Sequence, residues 1–477
     1  MVSSAKMQSR RADAADHPTV AARLADFARG LDLAAVPDDV VHHAKRCVLD
    51  ALGVAFAASV EPFARQSVAA VLGLGDRGSS TVIGGTGEAT ARDAALLNGL
   101  LVHGLDYDDT HPASIVHCSA SALPIVLAAG TRAGCSGAQA LAAHILAIEI
   151  DARLGGVADG QLQKQGFHPT GIVGIFGATL AAGRLQGLDG DALQRAQGVA
   201  LSMAAGSMEF LGDGAWTKRL HPGWAASSAL TAAALAGGGF EAPSKVYEGR
   251  FGLFASYLQR APGEALAALA DDLGERWETR VVAIKPYPVC HFNHAFGDAV
   301  LALRAQGLQA EDVTRVVAKI HRNQMSVVCE PAAAKRRPTS DYDAKFSLPY
   351  FIAVMLLRGR FTLDDLAPER LVEADVLALC DRIDHAHDEA SRFPRYFSGA
   401  LEVTTRDGRV LQVAEPVNRG SDALPLSDDE VFAKFHDNAA RAIPRQRADR
   451  IVDVVMALDR ADDLRELNVL LAEGGSA

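Results

Sequence analysis

"PDDVVHHAKRCVLDALGVAFAAS", residues 37–59, places Val40, Val41, Ala44, Cys47, Val48, Ala51, Leu52 and Val54 at helical spacing behind Pro37 and two aspartates. A proline at a helix start forfeits no hydrogen bond, and first-turn carboxylates suit the helix dipole, so the stretch predicts a helix. The same kind of pattern recurs at 91–104, 119–133, 137–152, 171–186, 190–206 and 224–238, bounded by Gly or Pro and rich in small residues that let helices approach closely. An all-helical unit is expected from residue 16 to 276, with the residues before it read as a disordered lead-in.

The character changes near residue 277. "TRVVAIKPYP" is β-branched and short, "VTRVVAKIH" at 313–321 alternates, and "ALEVTTRDGRVLQVAEP" at 400–416 predicts a hairpin around Asp407-Gly408. Helical patterns at 293–306, 345–358 and 369–384 lie between them, and amphipathic helix returns after 416. The expected fold class is mainly α: a large all-helical domain from 16–276 and 416–470, plus a smaller α+β lid domain over 277–415.

Lys and Arg number 47 against 58 Asp and Glu, giving a net charge of −11 with no long basic run, so no nucleic-acid partner is expected. The six cysteines are scattered without paired spacing, which fits reduced thiols better than a disulfide framework or zinc ribbon. Neither an apolar leader core in "MVSSAKMQSRRADAADHPTV" nor a membrane-length apolar run is present, so a cytoplasmic protein with no membrane partner is expected.

Four polar clusters interrupt the helices. "HGLDYDDTHPASIVHCSAS", residues 103–121, concentrates carboxylates and histidines between two helices. Asp108 and Asp109 could be turn residues with Thr110 a local cap; Asp106, Asp108, His111 and His117 could offer metal donors; or the group could do acid/base work. The spacing is neither HExxH nor an EF-hand, so no metal is expected. In "QKQGFHPTGIVGIFGA", His168 precedes Pro169 at a predicted helix N-terminus, where anions are favoured. Gly171, Gly174 and Gly177 there predict close helix packing rather than a nucleotide loop, and no cofactor is expected.

In "MEFLGDGAWTKRLHPGWAASSALTAA", Lys218, Arg219 and His221 fall just before a helix predicted to begin after Pro222-Gly223. Cations at a helix start oppose its dipole, so an anionic partner is expected unless the segment is a solvated loop. "KPYPVCHFNHAFGDA" adds Lys285, His291 and His294, and "AKRRPTSDYDAKFSLPY" adds Lys335, Arg336 and Arg337, either a solvated charge run or a residue reaching a substrate.

"HGLDYDDTH" with "HCSA", "GFHPTGIVG", "GSMEFLGDGAWTKRLHPGWAA", "VYEGRFGLF" and "DAKFSLPY", in this order, resemble the MmgE/PrpD family from about residue 20 to 465. That family includes 2-methylcitrate dehydratases, cis-aconitate decarboxylases and iminodisuccinate epimerases. The resemblance implies the same two-part fold, a homodimer with its site between the parts, and a small-molecule polycarboxylate substrate. It carries catalytic roles onto Asp106, Thr110, His117, His168 and Lys218, while His221, Lys285 and His294 are the expected substrate-binding residues. The chain departs from the family pattern at Cys118, where a proline is usual, and near Cys290, where a histidine is usual and His291 stands beside it.

The expected activity is a cofactor-free lyase, of dehydratase or decarboxylase type, acting on a small di- or tricarboxylate through a stabilised carbanion or enolate. In this assignment Lys218 and His221 hold carboxylates, His117 or His168 moves the proton, and Asp106 orients a histidine or a substrate hydroxyl through Thr110. The alternatives are an epimerase or racemase of a small dicarboxylate such as an iminodisuccinate-like acid, with His168 and Lys218 as opposed bases, and a non-catalytic polycarboxylate-binding homologue.

Overall fold

The first predicted helix forms as α1 (Asp38–Ser59), with Asp38 and Asp39 in its first turn. In the computed structural model, which describes residues 18–75, 78–85, 88–260 and 263–472, every residue of α1 from Lys45 to Ala58 is buried. The lead-in read before residue 16 lies outside the described residues. A helix wrapped on all sides must pair its charges, and the partners come from the far end of the chain. Lys45 meets Asp459 at 2.6 Å, Arg46 donates to the Leu426 carbonyl, and Asp50 meets Lys434 at 2.5 Å.

Around α1 stand α2 (Ala91–Val102), α3 (Cys118–Ala133), α4 (Gly137–Ala158), α5 (Pro169–Leu185), α6 (Gly190–Leu201) and α7 (Thr217–Gly237). Where α2 crosses α7 the backbones touch: a Cβ on Gly223 would lie 2.0 Å from the Leu96 carbonyl oxygen. Gly171 on α5 is equally confined, its absent Cβ falling 2.4 Å from the Ala205 oxygen and 3.0 Å from the His221 Cβ. These contacts are the close packing that the glycines predict.

The predicted start of α7 needs correction. It begins at Thr217, so Lys218, Arg219 and His221 lie inside the helix and Pro222 interrupts nothing. Pro222 forfeits one hydrogen bond, to the Lys218 carbonyl, and Gly223 beside it seats tightly against α2.

The α+β part holds α8 (His294–Ala305), β1 (Val313–Ile320), α9 (Asp341–Lys345), α10 (Leu348–Arg358), β2 (Ile383–His387), β3 (Gly399–Thr405) and β4 (Val410–Glu415). The sheet order is β2-β1-β3-β4, with β2 parallel to β1 and the other pairs antiparallel. The hairpin turns at Asp407-Gly408 as expected, Gly408 taking φ +83°. Two predictions fail. "TRVVAIKPYP" forms no strand: it contains a short 3₁₀ turn, Glu278–Val281, and then Ala283 pairs singly with Thr110. It crosses between the two cores, where no neighbouring strand is available. The helix expected at 369–384 stops at Cys380, and the remainder becomes β2 because β1 presents an open edge.

After β4 the chain returns to the helical part through α11 (Asp428–Ala439), which packs Phe435 onto Gly53 of α1. Buried apolar residues form one cluster from Val20 to Ile284 and Leu426 to Leu471, and another from Tyr287 to Val403. Among the described residues no single helix is long and apolar enough to cross a membrane.

Candidate active site

The segment between α2 and α3 is polar in sequence yet almost wholly buried, so its backbone must be tied down on all sides. Thr110 exchanges two backbone hydrogen bonds with Ala283, at 2.9 and 2.8 Å. Lys434 of α11 donates to the Tyr107 carbonyl at 2.9 Å and lies 3.9 Å from the centre of the Tyr107 ring. Asp109 accepts from the Ser119 amide at 3.1 Å and from its hydroxyl, closing the first turn of α3. Burial pushes the Asp109 carboxyl up to about 7, against the pull of Ser119.

Asp106 sits at φ +54°, a left-handed conformation unusual for a side chain larger than glycine. That twist turns its carboxylate away from Asp108 and towards two lysines. Lys218 reaches it at 2.7 Å, and Lys285 donates to its backbone carbonyl at 2.6 Å and lies 3.4 Å from the same carboxylate oxygen. Burial alone would raise the Asp106 pKa, but Lys218, then Lys285 and the nearby histidines, outweigh it and hold the carboxyl well below its usual range. Asp106 is thus the anion that the cations opening α7 require.

Asp108 binds histidines instead. It lies 2.8 Å from His103 Nδ1 and 3.2 Å from His117 Nδ1, and these two rings, against the push of burial, keep it well below the carboxylate range. Thr110 Oγ1 stands 3.5 Å from the same His117 nitrogen, while the His117 amide donates to Thr170 at 3.1 Å on α5. His117 Nε2 faces Asp106 at 3.8 Å. His117 thus lies closer to Asp108 than to Asp106.

His168, at the N-cap of α5, stacks on His103 with ring centres 5.4 Å apart. It meets His221 of α7 Nδ1 to Nδ1 at 3.0 Å, so one ring carries the proton and the other accepts it. Burial takes His103 and His221 down to about 4, and burial with the fields of His103 and Lys218 takes His168 well below its ordinary value. The group is a set of packed, buried rings beside a carboxylate paired with two lysines.

Asp106, Thr110, His117, His168, Lys218, His221 and Lys285 therefore converge. His294 stands apart: it donates to the Val289 carbonyl at 3.2 Å and packs on Tyr287 and His291. His111 is bound by Glu278 at 3.0 Å and Ser114 at 2.8 Å. The basic run holds the α+β part together, through Lys335 to the Val327 carbonyl, Arg336 to Asp384 and Arg337 to Asp381. Burial raises the Cys290 thiol to about 11, which removes it as a nucleophile at neutral pH. His103 is the member that the sequence reading passes over, and Asp108 is read there only as a turn residue or a metal donor, because their pairing across the loop has no fixed spacing.

His103, Asp108 and His117 also bring ligand-type atoms within 4.8 Å of one another. Those atoms already face each other at hydrogen-bonding distances, and Lys218 and Lys285 stand nearby, so the donor set suits a proton relay better than a cation.

Residues 22–265 match the MmgE/PrpD N-terminal domain, and residues 287–460 match the MmgE/PrpD C-terminal domain. The chain belongs to the MmgE/PrpD family. Within it, the chain is 26% identical to the cis-aconitate decarboxylase-like protein oryM of Aspergillus oryzae, over 96% of this chain and 98% of the relative. It is 28% identical to the cis-aconitate decarboxylase of Homo sapiens, over 93% and 92%. A mitochondrial 2-methylcitrate dehydratase of Yarrowia lipolytica is 27% identical over 24% and 22%. In this MmgE/PrpD chain the carboxylate, histidine and Lys218 set lies in the N-terminal match, whereas Lys285 falls between the two matched segments.

Proposed function

We propose that the chain is a cofactor-free lyase of decarboxylase or dehydratase type acting on a small tricarboxylate. Its matched relatives are decarboxylases and a dehydratase, and the observation that carries the reading is Asp106 clamped by Lys218 and Lys285 beside four buried imidazoles.

Both reactions make the same demands. In decarboxylation the C–C bond pair stays on the carbon as CO₂ leaves, spreads onto a neighbouring carboxylate as an enolate, and is quenched by a proton. In dehydration a base takes a C–H proton, the pair forms C=C, and hydroxide departs with a donated proton. Each needs cations beside the remaining carboxylates and one poised proton carrier. Lys218 and Lys285 supply the cations. His117 carries the proton, with Asp108 steadying its imidazolium, and the His168–His221 pair passes protons onward. No resident cofactor enters this scheme.

Proton NMR in heavy water against citrate-like, aconitate-like and aspartate-derived acids tests the proposal. The expected result is either a smaller product carrying deuterium, from decarboxylation, or a dehydrated product that has gained none, from loss of a C–H proton and hydroxide. Deuterium in recovered substrate with no such product would instead identify an epimerase, and binding without either change a non-catalytic homologue.

A homodimer in the cytoplasm is part of the same proposal. Trp216, Leu220 and Trp224, spaced four apart at the start of α7, expose 48%, 39% and 46% of their surface and support a covered face. Light scattering should then give twice the 50.2 kDa chain mass.

A further inference from the structure

Two buried cations beside the site lack acceptors. The Lys345 side chain, at the end of α9, is 1% exposed, and that of Arg219, one residue past Lys218, is 8% exposed. Among the described residues neither charged end makes a hydrogen bond. Their shared neighbour is one oxygen of Asp341, 3.6 Å from each, which is too long for a hydrogen bond. Asp341 itself is half exposed, so it leans over the two cations from the solvent side.

A third unmet group lies between them in sequence. The Tyr342 hydroxyl is buried and has no partner among the described residues. After burial, the charges that bear on it are Asp106 first, then Cys290 and Arg219, so it belongs to the same cleft as the clamped carboxylate. Phe346, next to Lys345, brings its ring centre within 6.0 Å of the Lys218 ammonium.

The arrangement is rigid. The Arg219 guanidinium lies over Phe63 at 4.1 Å and near Trp216 at 5.8 Å, which fixes the plane of its fork. The Lys345 carbonyl accepts from the Cys290 amide at 2.9 Å and the Asn293 side chain at 3.3 Å, anchoring the last turn of α9. Burial, opposed by Asp341, takes the Lys345 ammonium down to about 8. An ammonium, a fixed guanidinium and a free phenol hydroxyl, all donors with unmet capacity, are the groups that a carboxylate satisfies together.

We infer that Arg219, Tyr342 and Lys345 form a second carboxylate subsite, alongside the Lys218 and Lys285 pair, so that the substrate's carboxylates are held by two separate sets of donors, the second shared between α7 and α9. The inference rests on the proposed polycarboxylate chemistry. Asp341 marks the subsite's mouth, its carboxylate standing at the distance an incoming one would shorten.

Calorimetric titration with three unreactive acids tests it: tricarballylate, glutarate, which lacks the central carboxylate, and methylsuccinate, which lacks a terminal one. Lys345→Met keeps the volume and removes the charge. It should weaken tricarballylate about tenfold or more, as for a lost charge-assisted hydrogen bond, yet leave one of the two truncated acids within about twofold. Tyr342→Phe, which deletes one oxygen, should weaken tricarballylate about threefold or more on the same pattern. Equal weakening of all three acids, or of none, by both variants would overturn the subsite while leaving the polycarboxylate reading intact. Wild-type protein that binds none of the three overturns both.

Discussion

Two groups of buried histidines share this fold, yet they are wired differently. His103 and His117 face Asp108, and His168 meets His221. His291 accepts a hydrogen bond from Asn418, and His294 donates to a backbone carbonyl. Burial lowers the pKa of His103, of His168 and His221, and of His291 and His294. Burial therefore does not separate a working ring from a structural one. A carboxylate that remains charged does set His103 and His117 apart, because it can steady an imidazole that takes up a proton.

The strongest way to break this contrast is to remove the working groups. His117→Ala and Lys218→Ala should each lower turnover of the true substrate about hundredfold or more, as for loss of a general acid or base. If both stay within about threefold of wild type, the assignment fails. Asp108→Asn keeps shape but not charge, and should lower kcat roughly ten- to hundredfold with KM little changed. A matching rise in KM would make Asp108 a binding group instead. His294→Gln should cost less than about threefold in turnover, since its partner is a carbonyl.

Acid stability sharpens the comparison. The folded protein holds His103 and His221 at about 4, whereas unfolded imidazoles titrate at about 6.5. Between those values the unfolded chain binds the extra protons, so stability falls as pH drops from about 6.5 towards 4. Urea melts at pH 7 and pH 5 should show roughly 1–2 kcal/mol lost per ring. His221→Asn should flatten the slope by one ring's share, and an unchanged slope would show that the folded protein protonates His221. The smallest effect is expected at Arg337→Ala, whose half-exposed pair with Asp381 should shift stability by about 0.5 kcal/mol or less.

Helix α1 is legible in the sequence because its apolar spacing survives all-round burial, and the hairpin because Asp407-Gly408 supplies the turn itself. The site is legible as residue types but not as pairs. Asp106 and Asp108 are two apart, and only the left-handed turn at Asp106 sends one to lysines and the other to histidines. Pro222 was read as a boundary because local rules cannot see Gly223 seated on α2. The end of the 369–384 pattern became β2 because the edge of β1 decided it from afar. Lys345 carries no local signal: a lone lysine in "DAKFSLPY" looks like any surface charge until folding buries it.

The grip of Lys434 on Tyr107 spans 327 residues of chain. Synthesis proceeds from the other end, so every residue touching the clamped carboxylate has left the ribosome before the peg that steadies its loop is made. The nascent chain thus lacks this tie until α11 is made, and a protease clipping that tail is expected to lower activity without touching any of the side chains gathered at the clamped carboxylate.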